Sequence, residues 1–209
     1  MTARKSYSHT GSKKHPLDRA HWESRYTHGD TPWDHGEPSP GLFDFLAHET
    51  YVPGKVLVPG CGAGHDCREL ARHGFDVTGV DISHAAIDRS RQLAANDSLP
   101  IHFEHADCLH PPAQWKDAFD WVFEHTCFCA IDPDLRDEYA RAMASVVRSG
   151  GHLLGVFFNI QPESGPPFGT TREELMDRFG HSFDLILEKV PRSFPNRAGE
   201  ELLMLWQKK

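Results

Sequence analysis

No apolar run in this 209-residue chain approaches the ~20 residues that a membrane-spanning helix requires. The N-terminus also lacks the apolar core of a secretory signal. Cysteine is scarce: Cys61, Cys67, Cys108, Cys127 and Cys129 are odd in number and do not follow the spacing of a secreted disulfide framework. A reducing, cytoplasmic setting is the simplest expectation. Paired C-x-x-C or H-x-x-x-H spacings are missing too, so the 15 histidines and the C-x-C at Cys127 and Cys129 do not spell a structural zinc site, and no metal is expected. The five cysteines read instead as small apolar packing residues. No internal repeat or linker interrupts the chain downstream of its first residues.

Positive charge is also in short supply. The formal net charge is -8, and residues 1–20 hold Arg4, Lys5, Lys13, Lys14 and Arg19 against Asp18 alone. The body is therefore more acidic than the whole. Such a surface repels phosphate backbones, which argues against nucleic acid as a partner and favours a cationic ligand. Residues 1–16 are polar and basic with almost no apolar content; they read as a disordered tail, with a transit peptide as a lesser alternative. Residues 17–209 suit a single domain, whose Trp-rich flank over residues 17–50 would act as a helical lid.

From Lys55 onward, strand and helix patterns alternate. Strands are expected at Lys55–Val58, Phe75–Val80, Ile101–His105, Phe119–Phe123 and Leu153–Phe158. Helices are expected at Asp66–His73, after a Ser83 cap to about Ala95, at Asp134 to about Val147 with Gly150–Gly151 as its stop, and at Thr171–Phe179. Phe183–Val190 and Glu201–Trp206 then follow as two strands with only a loop between them. This order predicts an α/β Rossmann-like fold. Its seven-stranded, mostly parallel sheet carries helices on both faces and a C-terminal antiparallel hairpin.

In such sheets the ligand sits beyond the carboxyl ends of the strands. Three of those ends carry suggestive residues. The first strand opens into Gly60-Cys61-Gly62-Ala63-Gly64, where glycine lets backbone approach a ligand closely. On its own such a turn is equally a tight β–α connection. Asp81 ends the second strand, 21 residues after Gly60, where an acid can accept both ribose hydroxyls. Asp107 ends the third, within reach of an adenine amino group. The three together point to an adenosyl cofactor. The G-x-G-x-G spacing differs from the G-x-G-x-x-G that cradles a pyrophosphate, which argues against a nicotinamide oxidoreductase. Upstream, Trp22 and Tyr26 share one helical face and Trp33 follows in a turn. Aromatic faces of this kind can hold a sulfonium, or simply pack a helix onto the sheet.

The motifs T-P-W-D-H-G (Thr31–Gly36), L-V-P-G-C-G-A-G (Leu57–Gly64), G-V-D-I-S (Gly79–Ser83), F-C-A-I-D-P-D-L-R (Phe128–Arg136) and G-P-P-F (Gly165–Phe168) appear in that order. Together they resemble the thiopurine S-methyltransferase family and its halide and thiol methyltransferase relatives, over Trp22 to about Trp206. The resemblance implies S-adenosylmethionine as donor and S-adenosylhomocysteine as product. It implies cofactor contacts from Trp22, Tyr26, Trp33, Gly60, Gly62, Gly64, Asp81, Ile82, Asp107, Cys108 and Glu124. Halide and thiol branch members carry Trp where this chain has Tyr26. Glu124, His125 and Thr126 would lie near the methionine end and the acceptor. Arg136 matches an arginine beside the acceptor in thiopurine methyltransferases. It is the candidate cation for lowering a thiol's pKa, with Glu124 or His125 as candidate bases. The acceptor would be a small soft nucleophile: a thiol, a thiopurine-like sulfur, a halide or a chalcogen anion. A thiohistidine-like N-acceptor and a non-catalytic cofactor sensor are the alternatives. A monomer is expected.

Overall fold

The computed structural model describes residues 17–162 and 164–209; the expected tail at 1–16 lies outside them. Two helices come first, α1 (Arg19–Thr27) and α2 (Pro40–His48). Asp18 caps α1 by accepting the His21 N–H at 3.0 Å. Pro40 opens α2, where its missing N–H costs nothing. Then follow β1 (Lys55–Pro59), α3 (His65–Arg72), β2 (Asp76–Asp81), α4 (His84–Asn96), β3 (His102–His105) and β4 (Phe119–His125). The chain ends with α5 (Arg136–Val146), β5 (Val147–Phe158), α6 (Arg172–Phe179), β6 (Phe183–Lys189) and β7 (Glu201–Lys208).

The sheet order is β3-β2-β1-β4-β5-β7-β6. The first five strands are parallel, and β7 runs antiparallel between β5 and β6. The fold is therefore the seven-stranded Rossmann-like architecture expected from the pattern. Its two apolar clusters lie on opposite faces, because strand side chains alternate. Leu57, Val122, Leu153, Phe157, Met204 and Trp206 meet Tyr139, Met143, Leu175 and Phe179 from α5 and α6. Val56, Val58, Phe123, Leu154, Val156 and Leu203 meet Leu42, Phe45, Cys67, Leu70 and Ile87 from α2, α3 and α4.

One element boundary departs from expectation. Gly150 and Gly151 do not end the third expected helix; α5 stops at Val146 and β5 already runs from Val147 through both glycines. The reason is local. A Cβ on Gly151 would stand 2.7 Å from the Asp120 carbonyl oxygen, so this glycine permits close strand approach. Among the described residues no helix is long and apolar enough to cross a membrane.

Candidate active site

The carboxyl ends of β1, β2 and β4, and the turn after β3, open onto one cavity of about 890 Å³. That is ample for a nucleoside-sized ligand together with a small second one. Gly60 and Gly62 form its floor with positive φ, +57° and +53°. A Cβ on Gly60 would meet Cys127 Sγ at 2.8 Å, and one on Gly62 would meet the Tyr26 hydroxyl at 2.7 Å. Both positions therefore demand glycine for backbone angle and for space.

Asp81 is buried at the end of β2. Its Oδ2 accepts the Gly62 N–H at 2.9 Å and its Oδ1 accepts the Ser83 N–H at 2.9 Å. Each oxygen keeps a further lone pair for a hydroxyl donor. Burial pushes this carboxyl up to about 6, against the downward pull of the Ser83, Gly62 and Ile82 N–H groups. Ile82, Asp107 and Cys108 also line the cavity. The Asp107 carboxylate holds its own turn, accepting the Leu109 N–H at 2.9 Å and facing His110 Nδ1 at 3.1 Å.

The N-terminal segment closes over this floor. Trp22, Tyr26 and Trp33 all line the cavity. Their rings meet edge-on, with Trp33 5.6 Å from Trp22 and 5.9 Å from Tyr26, and Trp33 Nε1 donates to the Tyr26 hydroxyl at 3.3 Å. The Arg25 guanidinium covers one face of Trp33 at 4.8 Å, so that face is already occupied by a cation. The segment is tied down at the glycine turn's helix. Asp34 Oδ1 faces His65 Nε2 at 3.0 Å, Arg89 reaches Asp34 Oδ2 at 3.3 Å, and Asp66 Oδ1 accepts the Ser39 N–H at 2.7 Å. The hydrogen bond from His65 leads in holding the Asp34 carboxyl down at about 2. Below, α1 rests on α4, because Glu23 accepts the Ser83 hydroxyl at 2.7 Å and the Ala85 N–H at 3.3 Å.

Three of the expected site residues lie outside the cavity wall. Gly64 adopts φ +72° as the cap of α3, and its missing side chain makes room for Phe103 rather than for a ligand. Glu124 is buried and fully engaged. Its Oε1 accepts the Cys127 and Phe128 N–H groups at 3.1 and 2.8 Å, and Oε2 accepts the Tyr139 hydroxyl. It holds the turn after β4 and faces away from the cavity. Arg136 is buried beneath the same turn. Its NH1 donates to Glu174 Oε1 and to the Gly169 carbonyl, both at 3.0 Å, and NH2 donates to the Phe168 carbonyl at 3.0 Å. Its guanidinium lies 4.3 Å from the Phe128 ring centre. This arginine clamps α5, α6 and the loop before α6, and it does not line the cavity.

His125 does line the cavity, as does Thr126, which holds a positive φ of 63°. For a β-branched residue that conformation is strained, and such strain concentrates at functional turns. The buried arginine that lines the cavity is Arg197, from the short turn Pro195–Arg197 between β6 and β7. Its guanidinium lies 5.1 Å from the Phe158 ring centre and reaches Glu201 at 3.4 Å. His35 stacks on Phe194 at 3.9 Å close by, and Pro166 and Pro167 of the G-P-P-F loop complete this wall. Asp34, His35, Asp66, Phe194 and Arg197 were not singled out from the sequence. The first two lie inside the T-P-W-D-H-G motif, which is the one signal that pointed toward them. Arg197 reaches the cavity from the far end of the chain and carried none.

A sequence profile described as thiopurine S-methyltransferase matches residues 17–200. "Probable thiol methyltransferase 2" of Arabidopsis thaliana is 32% identical over 193 residues, covering 90% of this chain and 84% of that protein. "Thiocyanate methyltransferase 1" of Brassica oleracea is 29% identical over 196 residues, covering 92% and 86%. Among solved structures, the Burkholderia thailandensis 1,6-didemethyltoxoflavin-N1-methyltransferase with bound S-adenosylhomocysteine superposes with a TM-score of 0.73 at 22% identity, covering 91% and 87%. That likeness speaks for the fold.

Proposed function

The chain belongs to the thiopurine S-methyltransferase family of S-adenosylmethionine-dependent methyltransferases. From that membership we propose that it methylates a small soft nucleophile: a thiol, a thiopurine-like sulfur, a halide or a chalcogen anion. The observation that carries this reading is the wall beyond the glycine turn. It pairs one buried guanidinium, Arg197, with the apolar surfaces of Phe158, Phe194, Pro166 and Pro167. A cation set among polarisable, weakly hydrated groups suits a small soft anion better than a strongly hydrated one. The relatives' names, thiocyanate and thiol methyltransferase, point to the same class of acceptor.

The residues present fit the donor. Gly60 and Gly62 leave room that a Cβ would fill, Asp81 offers free carboxylate lone pairs, and Trp22, Tyr26 and Trp33 cover the floor. When bound, S-adenosylmethionine supplies an activated methyl group on a sulfonium, so the acceptor's electron pair forms the new bond as the carbon–sulfonium pair returns to sulfur. The chain's own part is to bind, to orient and to exclude water. Asp81 would accept from the ribose hydroxyls, and Asp107 and Cys108 would border the base. Arg197 would hold the acceptor's charge at the cavity wall, and orientation of this kind supplies much of the rate. The partner we read from the cavity is a small molecule only.

The test is purified protein with S-adenosylmethionine and a panel of aryl and alkyl thiols, a thiopurine, thiocyanate, hydrosulfide, iodide and a thiohistidine as nitrogen acceptor, read by S-adenosylhomocysteine formation and identification of the methylated atom. Turnover of at least one sulfur or halide acceptor is expected. Turnover confined to a nitrogen acceptor, with the cofactor bound normally, overturns the soft-nucleophile reading.

A further inference from the structure

His125 is the last residue of β4, and its two ring nitrogens have different surroundings. Nδ1 lies 2.9 Å from Asp66 Oδ2. Asp66 is itself held, because its other oxygen accepts the Ser39 N–H at 2.7 Å. A carboxylate can only accept, so Nδ1 carries the proton in the neutral ring and Nε2 presents a lone pair. That Nε2 is buried and has no protein partner. The ring belongs to the cavity wall, beside the strained turn at Thr126. A buried, unpartnered acceptor is costly unless something donates to it.

The surroundings decide what that donor is. Arg197, Phe194 and His35 line the same end of the cavity, and the His35 Nε2 is likewise buried and unpartnered. Glu201 and Arg197 act on His125 from β7 and the turn before it, Glu124 from its own strand, and His35 from the N-terminal segment. Burial is the largest single influence on His125 and resists charging the ring. The charge and hydrogen bond of Asp66, with Glu201, outweigh burial and the opposing Arg197, so the ring titrates above an ordinary histidine. A free halide or thiocyanate has no proton to give to such a base. A thiol has one, at a pKa of ~8.5 for an alkyl thiol.

We propose that Asp66 and His125 form a proton-accepting dyad at the acceptor end of the cavity, so that the acceptor arrives as a protonated thiol and is ionised in place. The inference rests on the methyltransferase reading above and narrows it to one class of acceptor. The S–H bond breaks, its proton goes to His125 Nε2, and the electron pair stays on sulfur for the new S–CH3 bond. The resulting imidazolium is balanced by Asp66 and returns its proton to solvent after the methylated product leaves. His125 is the catalytic base, and Asp66 is a positioning residue that fixes the tautomer and strengthens the base.

The experiment uses the full chain and a series of para-substituted aryl and alkyl thiols of increasing pKa, with wild type, His125→Asn and Asp66→Asn. Wild-type kcat/KM is expected to rise with pH along a limb above ~6.5, the ordinary histidine value. His125→Asn should remove the limb and lower kcat/KM by about 100-fold or more for the least acidic thiol, with progressively smaller losses as thiol pKa falls. Asp66→Asn should shift the limb to lower pH. A second readout is independent of turnover. An aryl thiol bound below its own pKa should show thiolate ultraviolet absorption with wild type and none with His125→Asn. Unchanged S-adenosylhomocysteine affinity by calorimetry certifies that each variant is folded.

Loss of stability in both variants with the limb and the thiolate signal intact overturns the dyad and leaves Asp66–His125 as a tie between α3 and β4. Wild-type turnover of iodide or thiocyanate but of no thiol overturns the dyad and leaves the methyltransferase reading standing. Wild-type turnover of no soft acceptor at all overturns both.

Discussion

A guanidinium that is 1% exposed must find its compensation inside the protein, and the two terminal nitrogens of Arg136 do so away from the cavity, while its Nε has no partner. Glu174 supplies the charge, two carbonyls accept its N–H groups, and Phe128 supplies a ring face. Glu174 is in turn shared with Arg178 at 2.9 Å and with the Thr170 hydroxyl at 2.8 Å. Arg136→Met should therefore act on stability. It removes one partner of a buried pair and strands the Gly169 and Phe168 carbonyls, a loss of about 3 kcal/mol. Chemical denaturation should show that loss, while KM for the acceptor stays within about twofold at a temperature where the variant is folded. A large rise in acceptor KM without loss of stability would return Arg136 to the substrate. At the same scale, Glu124 and His125 divide the work at the end of β4. One builds the turn, and the other faces the cavity.

At the scale of an element, the N-terminal segment spanning α1 and the turn at Thr31–Gly36 covers the cavity floor. Its aromatic residues touch the glycine turn directly, and side-chain ties rather than a shared sheet hold it there. Asp34 is the central tie, joined to His65 and Arg89. Asp34→Ala should free the segment without disturbing the sheet. Trp33 would lose its fixed packing on Tyr26, so its fluorescence should become more accessible to a soluble quencher. Affinity for S-adenosylhomocysteine should fall by about 10-fold, equivalent to ~1.4 kcal/mol of lost preorganisation. Unchanged quenching and affinity would show that the aromatic packing and the Glu23 and Ser39 ties hold the segment without Asp34.

For the molecule as a whole, ligand binding and folding are linked through Asp81. S-adenosylhomocysteine at 100 times its Kd should raise the unfolding free energy by about 2.7 kcal/mol at pH 8. The pH dependence has two opposite parts. Asp81 titrates at about 6 in the fold, above its ordinary value, because burial penalises its charge. The cost of keeping it ionised is thus fully present above about pH 6 and is relieved as pH falls toward ~3.9, the unfolded value. In the proposed complex the ribose hydroxyls would donate to the ionised carboxylate, so the ligand-induced gain should shrink over that same window. Thermal unfolding of free and liganded protein across pH 4.5–8 tests this. A gain that does not change between pH 8 and pH 5 would remove Asp81 from the ligand.

What the sequence by itself determined is local in origin. Strand-then-turn patterns around Lys55–Gly64 and Asp76–Ser83 place Gly60, Gly62 and Asp81 within a few residues of their strand ends, so the floor of the cavity was legible before any fold was known. The terminal pair of strands without a helix between them was enough to call for the antiparallel hairpin. The T-P-W-D-H-G turn was likewise visible as a motif, although its Asp34 tie and its His35 were not. Tertiary structure alone decided the cavity wall that carries Phe194 and Arg197. Inserting β7 between β5 and β6 carries Arg197 and Phe194 to a cavity whose other walls lie far earlier in the chain, and no local pattern encodes that meeting. It also decided between neighbours. Glu124 is taken up by the Cys127 and Phe128 N–H groups and the Tyr139 hydroxyl, while its neighbour His125 lines the cavity. The same packing draws Arg136 inward to Glu174, because a buried cation goes where a carboxylate and carbonyls await it, whatever motif it stands in.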